Sequence, residues 1–208
     1  MVEFLHRSWN SFSASLAGDY PKTSQRSQEM LGEVLKQHAL SRPLCVLDLG
    51  CGNGQLYEHL RSTGSLARYV GVDFSTPLLA AARQAFHGDA GAEFVQDNVS
   101  LLGKVTGPFD FIIYSHVIEM LESPELSLRR ARDLGEKILI RFSEPPDFDT
   151  VTVELREMPV GEDKTAPYIC WKMSRDYYHL ILANIGCKRV DIYQAEGDKD
   201  QIHVLHFS

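Results

Sequence analysis

Apolar positions change rhythm along this chain. Over the first forty residues they recur at helical spacing: Leu5, Trp9, Phe12 and Leu16, then, after Pro21, Met30, Val34 and Leu35 with His38 on the same face. Pro43 ends that pattern, and short apolar runs then alternate with amphipathic stretches. "LCVLDLG" is continuous enough to be a strand buried on both faces. "GQLYEHLRSTG" predicts a helix closed by Gly64, and "RYVGVDF" a second strand. Ser75 or Thr76, with Pro77 just inside, caps a helix to about Phe86. "AEFVQ" and "PFDFIIYS" are the third and fourth strands. Ser123 and Pro124 open a helix that Gly135 closes, before a fifth strand, "KILIRF". Such β–α alternation predicts an α/β fold, a mainly parallel sheet with helices on both faces.

The last third has a different rhythm. "VTVELREM" and "PYICWKM" alternate like hairpin strands around "PVGEDKTA". Ser174 caps a helix that ends at Gly186. "KRVDIYQ" and "QIHVLHF" follow, joined by "AEGDKD", which is too short for a crossover, so this pair is antiparallel. The 208 residues, 44% hydrophobic, fit a single domain. Its parts are a helical cap (1–42), a ligand-binding core (43–142), a substrate-side insertion (143–173) and a closing helix with its strand pair (174–208).

Composition narrows the setting. No apolar run is long enough to span a membrane. Glu3, His6, Arg7 and Asn10 interrupt the N-terminal apolar residues, unlike a signal peptide. The four cysteines (Cys45, Cys51, Cys170 and Cys187) form no C-x-x-C pair and read as reduced thiols, so a cytoplasmic location is expected. A net charge of −7 disfavours a nucleic-acid partner. The densest basic group, Arg129, Arg130 and Arg132, reads as the solvated face of a helix.

Candidate chemistry begins in "VLDLGCGNGQL" (46–56), where Gly50, Gly52 and Gly54 give G-x-G-x-G, one residue shorter than the dinucleotide spacing. The loop leaves a strand and enters a helix, so backbone N–H groups and the helix N-terminus can face a ligand. Asp73 ends the second strand and is positioned to accept from a ribose diol. Asp97 and Asn98 end the third. A carboxylate there can accept from an exocyclic amine such as adenine's, with Val99 or Phe74 against the ring, or it can cap a short helix. Three such groups across one sheet edge describe a nucleoside-shaped ligand. A nicotinamide dehydrogenase would want the longer glycine spacing and no closing antiparallel pair.

"VLDLGCGNG", "YVGVDFS", "FVQDNV" and "FDFIIYSHVIEML" resemble, in order and spacing, the signature segments of the class I S-adenosylmethionine-dependent methyltransferases over residues 20–142. The resemblance implies a doubly wound, seven-stranded mixed sheet with an antiparallel last strand, and S-adenosyl-L-methionine as cofactor. It implies that Asp48, Gly50, Cys51, Gly52, Asn53 and Gly54 surround the methionine end, and assigns Asp73 to the ribose and Asp97 to the adenine amine. Phe74, Asn98, Val99 and Ser115 complete the lining.

The expected reaction is methyl transfer to a small-molecule acceptor by in-line displacement. A protein or RNA acceptor, or a non-catalytic cofactor-binding subunit, are the alternatives. After the fourth strand come Tyr114, Ser115, His116 and Glu119. His116 titrates near neutrality and either takes a proton from the acceptor or lines the cofactor through its backbone. Glu119 suits a helix-starting charge, and Glu144 is a weaker candidate. The Asn/Asp-Pro-Pro-aromatic motif of nucleobase-amine methyltransferases is replaced by "YSHV", and "SEPPD" follows the wrong strand. No metal is expected: His203 and His206, three apart on a strand, point to opposite faces. Trp9, Phe12 and Tyr20 would cover the cofactor, with Tyr20 and Arg26 reaching its carboxylate. Tyr168 and Trp171 would wall the acceptor site or pack in the core. The hairpin edge could pair two copies, so a monomer or a homodimer is expected.

Overall fold

β1 (Leu44–Leu49) is the axis of the fold, paired in parallel with β2 (Leu66–Asp73) on one side and β4 (Phe109–Ser115) on the other. It is almost wholly buried because helices cover both faces of the sheet. In this computed structural model the described residues are 25–38, 42–62, 64, 66–143, 145–159, 165–194, 197 and 199–208. The other elements, in chain order, are α1 (Gln25–His38), α2 (Gln55–Ser62), α3 (Thr76–Ala85), β3 (Ala92–Gln96), a single 3-10 turn (Ile118–Met120), α4 (Pro124–Arg132), β5 (Gly135–Phe142), β6 (Thr152–Pro159), β7 (Thr165–Lys172), α5 (Arg175–Asn184), β8 (Arg189–Gln194) and β9 (Gln201–His206).

The main sheet has seven strands in the order β3-β2-β1-β4-β5-β9-β8. The first five are parallel, and β9 runs antiparallel between β5 and β8. Alternate residues of each strand feed two cores. Leu47, Val70, Ile112, Ile138 and Leu205 pack with Leu128 of α4 and Ile181 and Ile185 of α5. Val46, Tyr69, Ile113, Leu139 and Val204 pack with Leu31, Val34 and Leu35 of α1 and Leu60 of α2. The doubly wound seven-stranded architecture is therefore the one the β–α alternation and the family resemblance imply.

Local signals meet mixed outcomes. Ser75 caps α3 by accepting from the Leu78 N–H at 3.4 Å, and Ser174 caps α5 by accepting from Tyr177 at 3.1 Å. Ser123 stands at the N-cap of α4 but makes no capping bond there. Gly135 does not close that helix; it starts β5, where an added Cβ would lie 2.8 Å from the Phe109 carbonyl oxygen. Arg132 is no simple solvated cation, since it donates to the Ile185 carbonyl at the end of α5.

The edge where the parallel strands begin is closed by polar contacts. His206 Nε2 lies 2.9 Å from Asp191 Oδ2, and His38 Nε2 lies 3.9 Å from the same oxygen. The ligand-type atoms of His38, Asp191 and His206 all lie within 4.8 Å of one another. Arg189 already holds this carboxylate at 3.2 Å, and the Tyr193 hydroxyl lies 2.7 Å from His38 Nε2. The group ties the end of α1 to the last strand pair. His206 thus does more than fill the sheet, as its spacing alone suggested. Burial, reinforced by neighbouring His206, holds the His38 pKa below its usual value.

His203 points the other way, against Tyr178 and Phe142, with its Nδ1 3.0 Å from the Tyr178 hydroxyl. Burial pushes its pKa down to about 4. The folded chain then takes up this proton less readily than the unfolded chain. Its contribution is complete above the unfolded pKa near 6.5 and is lost as pH falls toward 4. Urea titrations between pH 7 and 4 should therefore record a loss of up to about 3 kcal/mol that His203→Gln removes.

Candidate active site

The loop between β1 and α2 doubles back onto β2. Gly50 and Cys51 both donate their N–H to the Val72 carbonyl, at 2.7 and 3.0 Å. That turn requires left-handed backbone: φ is +77° at Gly50, +56° at Gly52 and +86° at Gly54. A Cβ on Gly50 would overlap Val117 Cγ2, and one on Gly54 would lie 2.7 Å from Phe86. The Gly54 carbonyl then accepts from Glu58, starting α2.

Two carboxylates lie beneath the loop. Asp73 is 5% exposed and accepts from the N–H groups of Gly52 (2.9 Å) and Ser75 (2.8 Å). Burial raises its pKa, against the pull of those backbone bonds. Asp48 is 2% exposed and accepts from the Tyr69 hydroxyl. Its pKa is pushed up to about 7 by burial, with the Tyr69 hydroxyl opposing and Asp73 adding to the rise.

Asp97 stands at the same edge, its N–H bonded to the Asp73 carbonyl at 3.1 Å. Its carboxylate is folded into its own turn, accepting from the N–H groups of Asn98 and Lys104, both at 2.8 Å. Asn98 likewise accepts from Ser100. The capping alternative thus describes what these two side chains do here. Val99 is buried and its carbonyl accepts from Ser127, which the Tyr114 hydroxyl also meets at 2.8 Å. Tyr114 is accordingly a structural tie between β4 and α4. Phe74 follows β2, half-buried.

Beyond β4, Ser115 and His116 enter a second cluster. His116 adopts φ +57°, and its N–H donates to the Arg141 carbonyl at 3.0 Å. Its Nε2 lies 3.2 Å from Asp200 Oδ2, and the Arg141 guanidinium holds that same oxygen at 2.9 Å through Nε and 2.8 Å through Nη2. Arg141 Nη1 also donates to Ser115 Oγ at 3.3 Å. Glu119 stands in the first turn of the 3-10 helix, buried and accepting from the Ser143 N–H and hydroxyl. Sequence reasoning missed Arg141 and Asp200. Asp200 sits in "AEGDKD", whose turn-like composition conceals that β9 begins where β5 ends.

Among the described residues, the buried side-chain polar atoms without a hydrogen-bond partner are Asn53 Oδ1, in the glycine loop, and His116 Nδ1. Both belong to this edge. Buried polar atoms rarely stay unpaired, so the pair marks a surface that a polar ligand completes. The positive-φ glycines, the orphaned Asn53 and the Asp73 carboxylate fit a nucleoside cofactor with a polar tail.

Other expected members are not gathered there. Trp9, Phe12, Tyr20 and Glu144 lie outside the described residues. Arg26 is in the first turn of α1, but its side chain is not among those described. β7 packs on the 3-10 turn after β4. Tyr168 and buried Cys170 share one face of the hairpin, whereas Trp171 shares the other with exposed Val153 and Leu155. Tyr168 and Trp171 therefore cannot wall one site together.

The sheet order, with its reversed strand and the glycine loop at its switch point, defines a Rossmann-like methyltransferase fold. Residues 46–135 match the family model described as a methyltransferase domain. The chain is 29% identical over 147 residues to trans-aconitate 2-methyltransferase of Methylobacterium nodulans, covering 70% of this chain and 55% of that protein. It is 26% identical over 116 residues to malonyl-[acyl-carrier protein] O-methyltransferase of Bacillus cytotoxicus, covering 55% and 40%. It thus spans about half the length of these relatives. Among solved structures it is similar to the Burkholderia thailandensis 1,6-didemethyltoxoflavin-N1-methyltransferase bound to S-adenosylhomocysteine, with a TM-score of 0.67 at 19% identity, covering 96% and 87% of the two chains. Residues 46–135 are thus similar to a methyltransferase domain, and the fold is that of S-adenosylmethionine-dependent methyltransferases.

Gly50→Ala places a side chain against Val117 in a conformation L-residues avoid. It should destabilise the fold by about 2 kcal/mol, a fall in Tm of roughly 5 °C in thermal melts.

Proposed function

We propose that this chain is a methyltransferase that binds S-adenosyl-L-methionine and methylates a small molecule, as a monomer or homodimer in the cytoplasm. The carrying observation is the glycine loop fastened to Val72 above buried Asp73, with the orphaned Asn53 Oδ1 beside it. The activities for which the relatives are named, on trans-aconitate and on a malonyl-carrier conjugate, and that of the toxoflavin-precursor enzyme support a small acceptor. A net charge of −7 speaks against nucleic acid, and four cysteines with no C-x-x-C pair suit a reducing compartment. Among the described residues no helix is long and apolar enough to cross a membrane.

When bound, S-adenosyl-L-methionine supplies an electrophilic methyl group on a sulfonium whose sulfur keeps the bonding electrons. The chain's own work is binding, alignment and exclusion of water. Gly50, Gly52 and Gly54, with Asp48, Cys51 and Asn53, take the methionine end. Asp73 takes the ribose hydroxyls. Its oxygens already accept from the Gly52, Ser75 and Phe74 N–H groups, which fix the carboxylate beneath the loop. Phe74, Val99 and Ser115 line the remaining surface, and Asp97 with Asn98 shapes its edge through the turn their side chains hold. Tyr20 and Arg26 meet the cofactor carboxylate, and Trp9 with one of Tyr168 or Trp171, which face opposite sides of the hairpin, are the aromatic candidates around the acceptor.

Isothermal titration calorimetry should detect S-adenosyl-L-methionine binding. Asp73→Ala should weaken it at least tenfold, about 1.4 kcal/mol, with the fold checked by thermal melting. Absence of binding to the unmutated chain overturns the proposal.

A further inference from the structure

We propose that His116 is the proton acceptor of this site, that Asp200 is its positioning residue, and that the acceptor molecule therefore carries a hydroxyl or amine rather than a carboxylate. The inference rests on the reading of the site as a methyltransferase centre. It is carried by four linked observations.

First, His116 is held at φ +57° by its N–H bond to the Arg141 carbonyl, so its ring direction is fixed by the end of β5. A non-glycine residue tolerates that conformation only where the surroundings impose it. Second, Nε2 meets the Asp200 carboxylate at 3.2 Å. An ionised carboxylate only accepts, so Nε2 carries a proton, and in the neutral ring Nδ1 then keeps its lone pair. Third, Nδ1 is closed off from solvent and has no hydrogen-bond partner. A basic nitrogen sealed from water yet unsatisfied is complementary to a donor brought by a ligand. Fourth, the residue after it, Val117, packs against the backbone of Gly50, which puts His116 beside the cofactor loop.

The same geometry selects the acceptor class. A carboxylate nucleophile arrives ionised and gains nothing from a base. It also needs a free cation, and Arg141, 3% exposed, is committed to Asp200 and Ser115. A hydroxyl or amine arrives protonated. Its proton passes to Nδ1, and the O–H or N–H bonding pair remains on oxygen or nitrogen as the attacking lone pair. His116 becomes an imidazolium stabilised by Asp200, and it gives the proton up after the methylated product has left. Arg141 keeps Asp200 ionised and in place throughout.

Two measurements on the full chain test this. Two-bond 15N–1H spectra of 15N-histidine-labelled protein should give neutral His116 with its proton on Nε2, a preference that Asp200→Ala abolishes. Because Asp200→Ala leaves Arg141 buried without its partner and can unfold the chain, the wild-type spectrum is decisive by itself. In the second, radiolabelled methyl transfer is followed with catechol, benzylamine and trans-aconitate as probes. Catechol or benzylamine should be turned over, with His116→Asn lowering kcat about 100-fold at little change in KM and leaving cofactor binding by calorimetry within twofold. Turnover of trans-aconitate alone, retention of rate in His116→Asn, or a wild-type proton on Nδ1 overturns the proposal. Where no probe is turned over, the tautomer decides: Nε2–H supports it and Nδ1–H ends it. Failure of the unmutated chain to bind S-adenosyl-L-methionine is a different result, which removes the methyltransferase reading itself.

Discussion

The carbonyl of Val72 accepts from two consecutive backbone N–H groups, Gly50 and Cys51, and the rest of the site depends on that pairing. It fastens the exit of β1 to the end of β2, so the chain must reverse within a few residues. Only left-handed backbone achieves the reversal here, which is why three alternate positions are glycine. The turn then delivers Gly52 N–H to Asp73 and starts α2 at Gly54. One hydrogen-bonding constraint thereby sets the loop shape, the carboxylate beneath it and the helix behind it.

The carboxylates raise the energetic stakes of that arrangement. Asp48 and Asp73 are both nearly inaccessible, and burial disfavours the ionised form of each. Asp73 is compensated by backbone N–H groups, Asp48 by a single tyrosine hydroxyl. A ligand that brings hydroxyl donors to Asp73 adds partners to a carboxylate whose desolvation the fold has already borne. On the proposed reading this is preorganisation of a binding group, which accounts for a buried acid where burial alone would favour an apolar residue.

Much of this was legible in the sequence because the relevant signals are local. Continuous apolar runs gave the strands, the glycine spacing gave the loop, and Ser75 and Ser174 announced their helices. Gly135 misled because a glycine after a helical stretch has two uses: it can end the helix or allow close strand contact. At Gly135 the Phe109 backbone demands the second. Asp97 was ambiguous for a related reason, since an aspartate ending a strand can face a ligand or its own loop with equal chemistry. Tyr168 and Trp171 were joined in one wall although the strand period of two puts residues three apart on opposite faces, an assignment that needed the hairpin register. Asp200 and Arg141 were out of reach: they lie 59 residues apart and meet only because β9 is inserted antiparallel beside β5.

That insertion also divides the labour between the two edges of the sheet. Where the parallel strands begin, His38, Asp191, His206, Tyr193 and Arg189 engage one another, and α1 is tied down by contacts complete within the chain. Where the strands end, Asn53 and His116 each bury a polar atom that the chain leaves unmatched. A saturated network adds stability and asks nothing of a ligand, whereas an unsaturated one costs stability until a ligand arrives. Because β9 reaches both edges, with Asp200 just before its start and His206 at its end, one strand joins the stabilising edge to the edge that carries the unmatched polar atoms. The reversed strand is therefore more than a closing element: it brings a carboxylate of late sequence position to a histidine set by β4, which parallel strands with crossover helices would not have done.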